Sequence, residues 1–212
     1  MASRTLNAKQ APLEIGDDWR EFAPLKLLPT LEGAMQVFPV KGYHGSTVRD
    51  LAAAAGITLP TLYYYHGDKQ NILVDLLSLG FDELLERMRR ARTATAPDPV
   101  SQLNCFVEVA VLHMIRRHGL AILEAEIRYL EPDNRASYLA KRRNLEDQLL
   151  SIIHEGVEDG AFDVDFPRDA GRAMLGFIQA VATWYRPDGP LDAETIVLRY
   201  QEMARRLVGV KD

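Results

Sequence analysis

The sequence of 212 residues predicts an all-α protein of about nine helices. After residue 28, no run of Val, Ile or Thr alternates with polar residues over the length of a strand. Apolar side chains instead recur at the three- and four-residue spacing of one helix face. Proline and glycine stand at the ends of these segments, where they favour the starts and stops of helices.

Composition restricts the class of protein. Hydrophobic residues make up 47% of the chain, enough for a substantial core, and the formal net charge is −5. An acidic total disfavours a surface that binds polyanions everywhere, although a local DNA-binding patch stays open. The single cysteine, Cys105, excludes an internal disulfide and a cysteine-rich zinc site. No apolar run approaches the ~20 residues that span a bilayer, and no signal sequence is visible. A cytoplasmic protein without metal, cofactor or membrane partner is therefore predicted.

The chain begins with an irregular arm. Residues 1–27 mix Pro, Gly, Asn and charged residues without helical spacing, and Trp19 and Phe22 are its candidate docking side chains. A first helix is expected to start at Pro29 and to stop at Gly42. The first four helices are predicted over residues 29–41, 47–54, 58–65 and 69–92.

Five further helices are predicted in the rest of the chain. Asp98 and Pro99 suit the cap and the first position of the next helix. These helices are expected over residues 99–118, 120–130, 133–160, 167–185 and 192–208. The first of them is apolar nearly all round, which is typical of the central helix of a domain. The last two are joined by the turn sequence RPDGP, and two copies of this pair would form a four-helix dimer interface.

The stretch STVRDLAAAAGITLPTLYYY has the spacing of a helix-turn-helix. Ser46 is expected to cap its first helix, and Gly56 supplies the conformation that a tight turn between two helices requires. Thr58 is expected to cap the second helix, where Pro60 lacks only an N–H that has no partner within the helix. A small residue, Ala52, lets the two helices cross closely.

With its neighbours, this stretch resembles the N-terminal DNA-binding domain of the TetR family of transcriptional regulators. The resemblance covers about residues 30–76. It is carried by Phe38, Gly42, Tyr43, Thr47, Val48, Leu51, Ala52, Ala55, Gly56, Leu62, Tyr63, Gly67, Lys69 and Leu73. It implies a homodimeric repressor of double-stranded operator DNA, with residues 28–72 as the DNA-binding domain and 73–212 as the ligand-binding and dimerisation domain. The same residues fit an activator equally well.

The resemblance also assigns residues to the DNA. Phosphate would be contacted by Thr47, Tyr63 and Lys69. Base edges would be faced by Thr58, Leu59, Pro60, Thr61 and Tyr64. Members of the family often have lysine where Leu59 stands and an aromatic residue where His66 stands. Leu59 and Pro60 therefore predict apolar contacts, for example with thymine methyl groups.

Cationic residues are scarce in this segment. Between residues 42 and 69, Arg49 and Lys69 are balanced by Asp50 and Asp68. Helix N-termini, backbone N–H groups and hydroxyls would then supply phosphate contacts, so we predict that DNA binding depends only weakly on salt. A later arginine group is interpreted as solvated side chains near a helix C-terminus. It consists of Arg87, Arg89, Arg90 and Arg92.

The second half of the chain offers candidates for a ligand cavity. Those with aromatic or apolar side chains at helical spacing are Phe81, Phe106, Met114, Tyr129, Tyr138 and Phe177. Each is either a core residue or a ligand contact. His113, a lone polar residue on an apolar side, is either a satisfied core histidine or part of the pocket. The tract TWYRPDGPL resembles a TetR subgroup that responds to acyl-CoA thioesters, which implies an effector of that class.

The alternative function is a small-molecule hydrolase or carrier that uses the helical bundle alone. A glycine-rich phosphate loop, paired histidines at metal spacing and a serine in a nucleophile turn are all missing from the sequence. A gel-shift assay with the DNA that flanks the gene separates this alternative from a DNA-binding regulator.

Overall fold

The computed structural model describes residues 10–210, so residues 1–9 of the predicted arm and residues 211–212 lie outside the described residues. This part of the chain contains helices and no strand, which confirms the predicted all-α class. The α-helices are α1 (Pro29–Gly45), α2 (Val48–Ala54), α3 (Leu59–His66), α4 (Lys69–Ala94), α5 (Pro99–Arg116), α6 (His118–Ile122), α7 (Pro132–Glu158), α8 (Pro167–Trp184) and α9 (Ala193–Leu207). A 3₁₀ segment, Leu123–Tyr129, separates α6 from α7.

Two helices differ from the sequence prediction. Helix α1 extends to Gly45, but Gly42 has φ 70° and ψ 166°, so the helix is interrupted at its predicted end. The helix predicted over 120–130 is divided into α6 and the 3₁₀ segment. The end of that segment is held by contacts with two other helices, because Gln70 donates to the Tyr129 carbonyl at 3.2 Å and the Tyr129 ring stacks on Tyr43.

Helix α5 is the central helix, as its apolar sequence predicts. It packs against α4, α7, α8 and α9. Its fully buried apolar side chains are Leu103, Phe106, Val107 and Val111. Helix α4 packs against α1 as well as α5 and α7, so it connects the N-terminal helices to the bundle. Within residues 10–210, no helix combines the length and the apolar character that crossing a bilayer requires.

The arm that precedes α1 lies against α4 and α5. Trp19 is buried. The guanidinium carbons of Arg87 and Arg117 lie 3.6 Å and 5.1 Å from the centroid of the Phe22 ring. Both side chains therefore dock the arm, as predicted. Arg20 adds a salt bridge to Glu108 of α5 at 2.6 Å.

A buried charge cluster joins the arm to the bundle. Glu83 binds Arg87 at 2.6 Å and Arg117 at 2.7 Å, and the exposed fractions of these residues are 3%, 0% and 6%. The two arginines also donate to arm carbonyls, those of Trp19, Glu21 and Ala23. Burial alone would raise the pKa of Glu83, but the two arginines outweigh burial and lower it. We call this cluster of three charged side chains and three carbonyls the arm junction.

The prediction of a solvated arginine group is wrong for Arg87. A helix C-terminus would leave its guanidinium in water, yet the arm folds back and covers it. Arg90 also donates to the arm, through the carbonyls of Ile15 and Gly16. Arg89 fits the prediction, since it is exposed and pairs with Glu86 on its own helix.

Candidate nucleic-acid interface and effector cavity

The helix-turn-helix is fixed by close packing. Gly56 has φ 65° in the turn between α2 and α3, a conformation that other residues resist. Leu51 and Leu62 are fully buried. Helix α1 lies very close to the end of α2, because a Cβ on Gly33 would lie 2.7 Å from the backbone nitrogen of Ala55. The orientation of α3 is therefore set by its contacts with the neighbouring helices.

A reciprocal cap starts α2. The Thr47 hydroxyl accepts from the Asp50 backbone N–H at 3.2 Å, and the Asp50 carboxylate accepts from the Thr47 N–H at 2.8 Å. The predicted Ser46 cap is wrong, because the Ser46 hydroxyl donates to the Tyr43 carbonyl instead. A hydrogen bond from Lys41, followed by those from Thr47, lowers the pKa of Asp50 to about 2. The carboxylate therefore stays charged and keeps the cap at neutral pH.

Helix α3 presents hydroxyl and apolar groups to solvent. Thr58 caps it as predicted, with its hydroxyl accepting from the Thr61 N–H at 3.3 Å. Tyr63 and Tyr64 are 43% and 56% exposed, and Pro60 is also exposed. Of the other residues assigned to bases, Leu59 and Thr61 are half-buried. The surface of α3 is thus uncharged, and its position depends on the buried residues beneath it.

Lys69 has a structural contact that its predicted phosphate role did not include. Its ammonium donates to the carbonyls of Tyr43 at 2.6 Å and Ser46 at 2.8 Å, and lies 4.2 Å from the centroid of the Tyr43 ring. An ammonium has three donors, so one remains for a phosphate. Lys69 therefore ties the start of α4 to the end of α1.

His66 forms a polar corner between three helices. Its ring is 1% exposed and hydrogen-bonds to the hydroxyl of Thr30 in α1 and, at 2.9 Å, to the carboxylate of Asp75 in α4. Asn71 donates to the His66 carbonyl at 2.8 Å. Hydrogen bonds of the His66 ring and carbonyl therefore fix the end of α3.

Two small cavities lie in the helical bundle and share Phe81 and Glu124 in their walls. The first has a volume of about 50 Å³, and its other lining residues are Leu84, Ala110, Met114, Arg142, Leu145, Leu175, Ile178 and Gln179. The second has a volume of about 10 Å³, and its other lining residues are Leu76, Leu77, Gly80, His113, Leu120, Ala121 and Tyr138. We call the two together the effector cavity, after the ligand that the sequence analysis predicts for this part of the chain.

Four of the predicted ligand residues meet at this cavity and three do not. The four are Phe81, His113, Met114 and Tyr138. Phe106 is buried in the core elsewhere. Tyr129 packs against Tyr43 and His44 of α1, and Phe177 packs against Tyr200 of α9.

The cavity wall contains three polar residues that are not among the predicted ligand residues: Glu124, Arg142 and Gln179. Gln179 donates to the Glu124 carboxylate at 2.5 Å. Burial raises the pKa of Glu124, while Arg142 and hydrogen bonds with Tyr138 and Gln179 oppose that shift. A glutamine on the apolar face of a helix was a signal available in the sequence, because such a face normally buries only groups that find a partner.

The last two helices leave apolar residues uncovered. Their exposed large side chains are Trp184, Leu198, Met203 and Leu207. On α8, Ala173 and Gly176 are exposed too, and a Cβ on Gly176 would meet nothing within 4 Å. A partner helix could therefore approach α8 closely at this position.

A helix-turn-helix joined by a shared long helix to a bundle with an internal cavity defines a DNA-binding transcriptional regulator. Residues 31–76 match the family described as "Bacterial regulatory proteins, tetR family". Residues 96–208, more than half of the chain, match the family described as "Tetracyclin repressor-like, C-terminal domain". The chain belongs to the TetR family of transcriptional regulators, and it is not an enzyme.

Individual relatives agree with this assignment. The HTH-type transcriptional repressor KstR2 of Rhodococcus jostii (strain RHA1) is 28% identical over 173 residues, which cover 80% of this chain and 84% of the relative. The crystal structure of PfmR from Thermus thermophilus is 33% identical, with a TM-score of 0.76 over 84% of this chain and 97% of that chain. AibR in complex with isovaleryl coenzyme A and operator DNA shares the fold at 24% identity, with a TM-score of 0.74 over 86% of this chain and 97% of that chain.

Proposed function

We propose that this chain is a homodimeric repressor that leaves a palindromic operator when a small hydrophobic or acyl-CoA-type effector binds. The observation that carries the proposal is the exposed, uncharged face of α3 on a tightly packed helix-turn-helix. KstR2 is a repressor and AibR binds isovaleryl coenzyme A and operator DNA, which supports both halves of the proposal. Since its target is DNA, the protein would act in the cytoplasm.

In this proposal, residues 28–72 bind the DNA. The hydroxyls of Thr47 and Tyr63 and the remaining donor of Lys69 contact phosphates and fix the position of α3. Base edges are faced by Thr58, Leu59, Pro60, Thr61 and Tyr64. The first turn of α3 also carries the positive end of the helix dipole, which suits a phosphate.

In a homodimer, the contact between the two subunits sets the distance between the two α3 helices. Two α3 helices must enter successive major grooves about 34–36 Å apart, which requires a nearly palindromic site. The exposed apolar residues of α8 and α9 support a four-helix interface, in which each copy covers the same face of the other. Residues 73–212 would then supply both the dimer interface and the effector cavity.

Helix α4 is positioned to connect the cavity to the DNA. Its Lys69 end holds α1, and its middle contributes Gly80 and Phe81 to the cavity wall. A Cβ on Gly80 would lie 3.3 Å from the Leu120 side chain, so α4 and α6 approach closely here. A larger effector must separate these helices, which moves α4 and changes the spacing of the two α3 helices. Binding the moved state ~10⁴-fold more tightly suffices to shift the dimer from bound to released.

The test is a gel-shift assay of the full chain with duplex DNA from the region that flanks its gene. We expect sequence-specific retardation, and a loss of affinity of about 2- to 10-fold in Tyr63→Phe, since the phenol would lose one hydrogen bond to phosphate. Tyr200→Phe is the matched control, because that phenol lies between α8 and α9, and should leave DNA affinity unchanged. Equal retardation of unrelated DNA over a wide concentration range would contradict the proposal. Reporter expression in a deletion strain separates repression from activation.

A further inference from the structure

Polar side chains line both parts of the effector cavity, with Arg142 and Gln179 in the larger part and three polar side chains in the smaller part, which we call the polar end. His113, Glu124 and Tyr138 all line its smaller part, whose remaining lining residues are Leu76, Leu77, Gly80, Phe81, Leu120 and Ala121. This part has a volume of about 10 Å³, which is the space that a single water-sized group occupies. One oxygen atom could therefore enter it while the rest of a ligand fills the larger part.

His113 supplies the observation that points to a ligand. Its side chain is 4% exposed, and its Nδ1 atom has no hydrogen-bond partner among the described residues. A buried ring nitrogen without a partner costs about 1–3 kcal/mol, so such atoms are rare unless something binds to them. The ring projects from α5 into the small part of the cavity.

The protonation states of these groups define what they can bind. Burial lowers the pKa of His113 to about 4, so the ring is neutral at pH 7. Burial also raises the pKa of Tyr138, which keeps its phenol protonated. Burial raises the pKa of Glu124 as well, although Arg142 opposes this. The polar end therefore consists of neutral hydrogen-bonding groups beside a carboxyl group, and a ligand carboxylate there would be repelled by any charge on Glu124.

We propose that the effector buries an uncharged oxygen function, such as an alcohol or a ketone, between His113, Glu124 and Tyr138. The single O–H of Tyr138 already donates to Glu124, so an alcohol donates to the free His113 nitrogen or to the phenol oxygen, and a ketone accepts from that nitrogen in the tautomer in which it carries the proton. The apolar body of the effector lies along Phe81, Leu84 and Met114 in the larger part. This inference rests on the proposed effector function and specifies the chemistry of the buried end of the ligand.

A competing possibility is a carboxylate that pairs with Arg142. That side chain lines only the larger part of the cavity, is half-buried and faces Glu124, whose own charge would compete for it. The smaller part has no cationic side chain in its wall. Ligands of equal length that end in either an uncharged oxygen function or a carboxylate therefore distinguish the two possibilities.

The experiment uses 1-octanol, 2-octanone and octanoate with the full-length dimer. We expect the two neutral compounds to raise the melting temperature with concentration and to weaken DNA retention, because they bind and displace α4. Octanoate should have at least 10-fold lower affinity. Equal binding of octanoate, or no binding of either neutral compound, would overturn the inference.

Variants of the polar end test the contacts. Tyr138→Phe and His113→Phe should each weaken binding of 1-octanol about 3- to 10-fold, the loss expected for one hydrogen bond. Tyr200→Phe makes the same change as Tyr138→Phe at a phenol that bonds to Trp184 outside the cavity, and should bind octanol as the native chain does. Unchanged binding in Tyr138→Phe and His113→Phe would contradict the assignment. The compound comparison in the native protein decides the question even if a variant fails to fold.

Failure of this inference is distinguishable from failure of the proposed function. A protein that retards its own promoter DNA but ignores both neutral compounds contradicts only the ligand chemistry. A protein that binds no specific DNA contradicts the regulator proposal, whatever it does with the compounds.

Discussion

Helix α3 and the arm junction use polar groups in opposite ways. Helix α3 places tyrosine and threonine hydroxyls on its surface and has no cation of its own. The arm junction buries two arginines and a glutamate behind the chain that precedes α1. In this acidic protein, strong cations therefore hold the bundle and the arm together, whereas the exposed surface of α3 carries uncharged groups.

The arm junction is also a direct link between the two halves of the molecule. The arm continues into α1, and Gln10 accepts from the Leu28 N–H at 2.8 Å just before that helix starts. The arm also contacts Arg87 on α4 and Arg117, the residue that follows α5. A helix of the DNA-binding segment is therefore tied to the effector bundle at both ends, through the arm at its start and Lys69 at its end.

Removing a cation from the junction should give the largest effect. Arg87→Ala eliminates the hydrogen bonds to the arm carbonyls and leaves Glu83 buried with one partner fewer. Breaking a buried ion pair from one side costs about 3–5 kcal/mol, so the free energy of unfolding in urea should fall by that amount. Arg89→Ala is the control on the same helix, since its pair with Glu86 is exposed and contributes less than about 1 kcal/mol. Similar losses in the two variants would refute a special role for the junction.

The next effect concerns the packing that positions α3. In Gly33→Ala, the new methyl group would lie 2.7 Å from the Ala55 nitrogen and 2.8 Å from the Leu51 carbonyl oxygen, and neither backbone atom can rotate away. We expect a loss of about 1–3 kcal/mol, the usual cost of overpacking, with weaker DNA binding.

Gly45→Ala makes the same change in the same helix and serves as the control for Gly33→Ala. Its nearest atom would be the Lys41 Cβ at 3.9 Å, so stability should stay equal or increase by up to about 1 kcal/mol. If Gly33→Ala were as stable as Gly45→Ala, close approach would not be what fixes α1 on α2. Thermal unfolding of both variants makes the comparison.

Local chemistry explains why the helix-turn-helix could be predicted from sequence and the arm junction could not. Gly56, the Thr58 cap and the buried Leu62 act within a few residues of one another, so their spacing specifies the turn. Arg87 meets the carbonyls of Trp19 and Glu21, 68 and 66 residues away in sequence. Carbonyls carry no sequence signature, and a run of arginines near a helix end equally fits solvation.

The effector cavity lies between these two cases. Helical spacing identified Phe81, Met114 and Tyr138, because the apolar faces of α4, α5 and α7 turn to the same interior. His113 was identified as a lone polar residue on an apolar side. Helical spacing also selected Phe177, but this half-buried aromatic ring of α8 packs on Tyr200 and not on the cavity. Glu124 was missed because it stands in a short 3₁₀ segment, where helical spacing gives no face.

A smaller effect is expected at the cap of α3. Thr58→Ala removes the acceptor of the Thr61 N–H and should cost about 1 kcal/mol in unfolding free energy. Thr58→Ser keeps the hydroxyl and should restore most of this stability, which a role of the threonine methyl group would not allow. Chemical denaturation of the three proteins, followed by far-ultraviolet circular dichroism, provides the measurement.

The smallest expected effect is that of salt on DNA affinity. Measuring this effect tests directly whether the DNA-binding surface is uncharged. Lys41 is paired with Asp50 at 2.6 Å, and Lys69 already donates to two carbonyls. If Arg49 and Lys69 of each subunit neutralise phosphates, log affinity should fall against log salt with a slope of about −4 for the dimer. Hydroxyls and backbone N–H groups release no counterions, so their contacts add affinity without steepening the slope. Arg49→Ala should therefore flatten the slope by about 2, whereas Tyr63→Phe should lower affinity equally at every salt concentration. A native slope near −10 would mean that many more cations reach the DNA than the described surface of α3 and its neighbours presents.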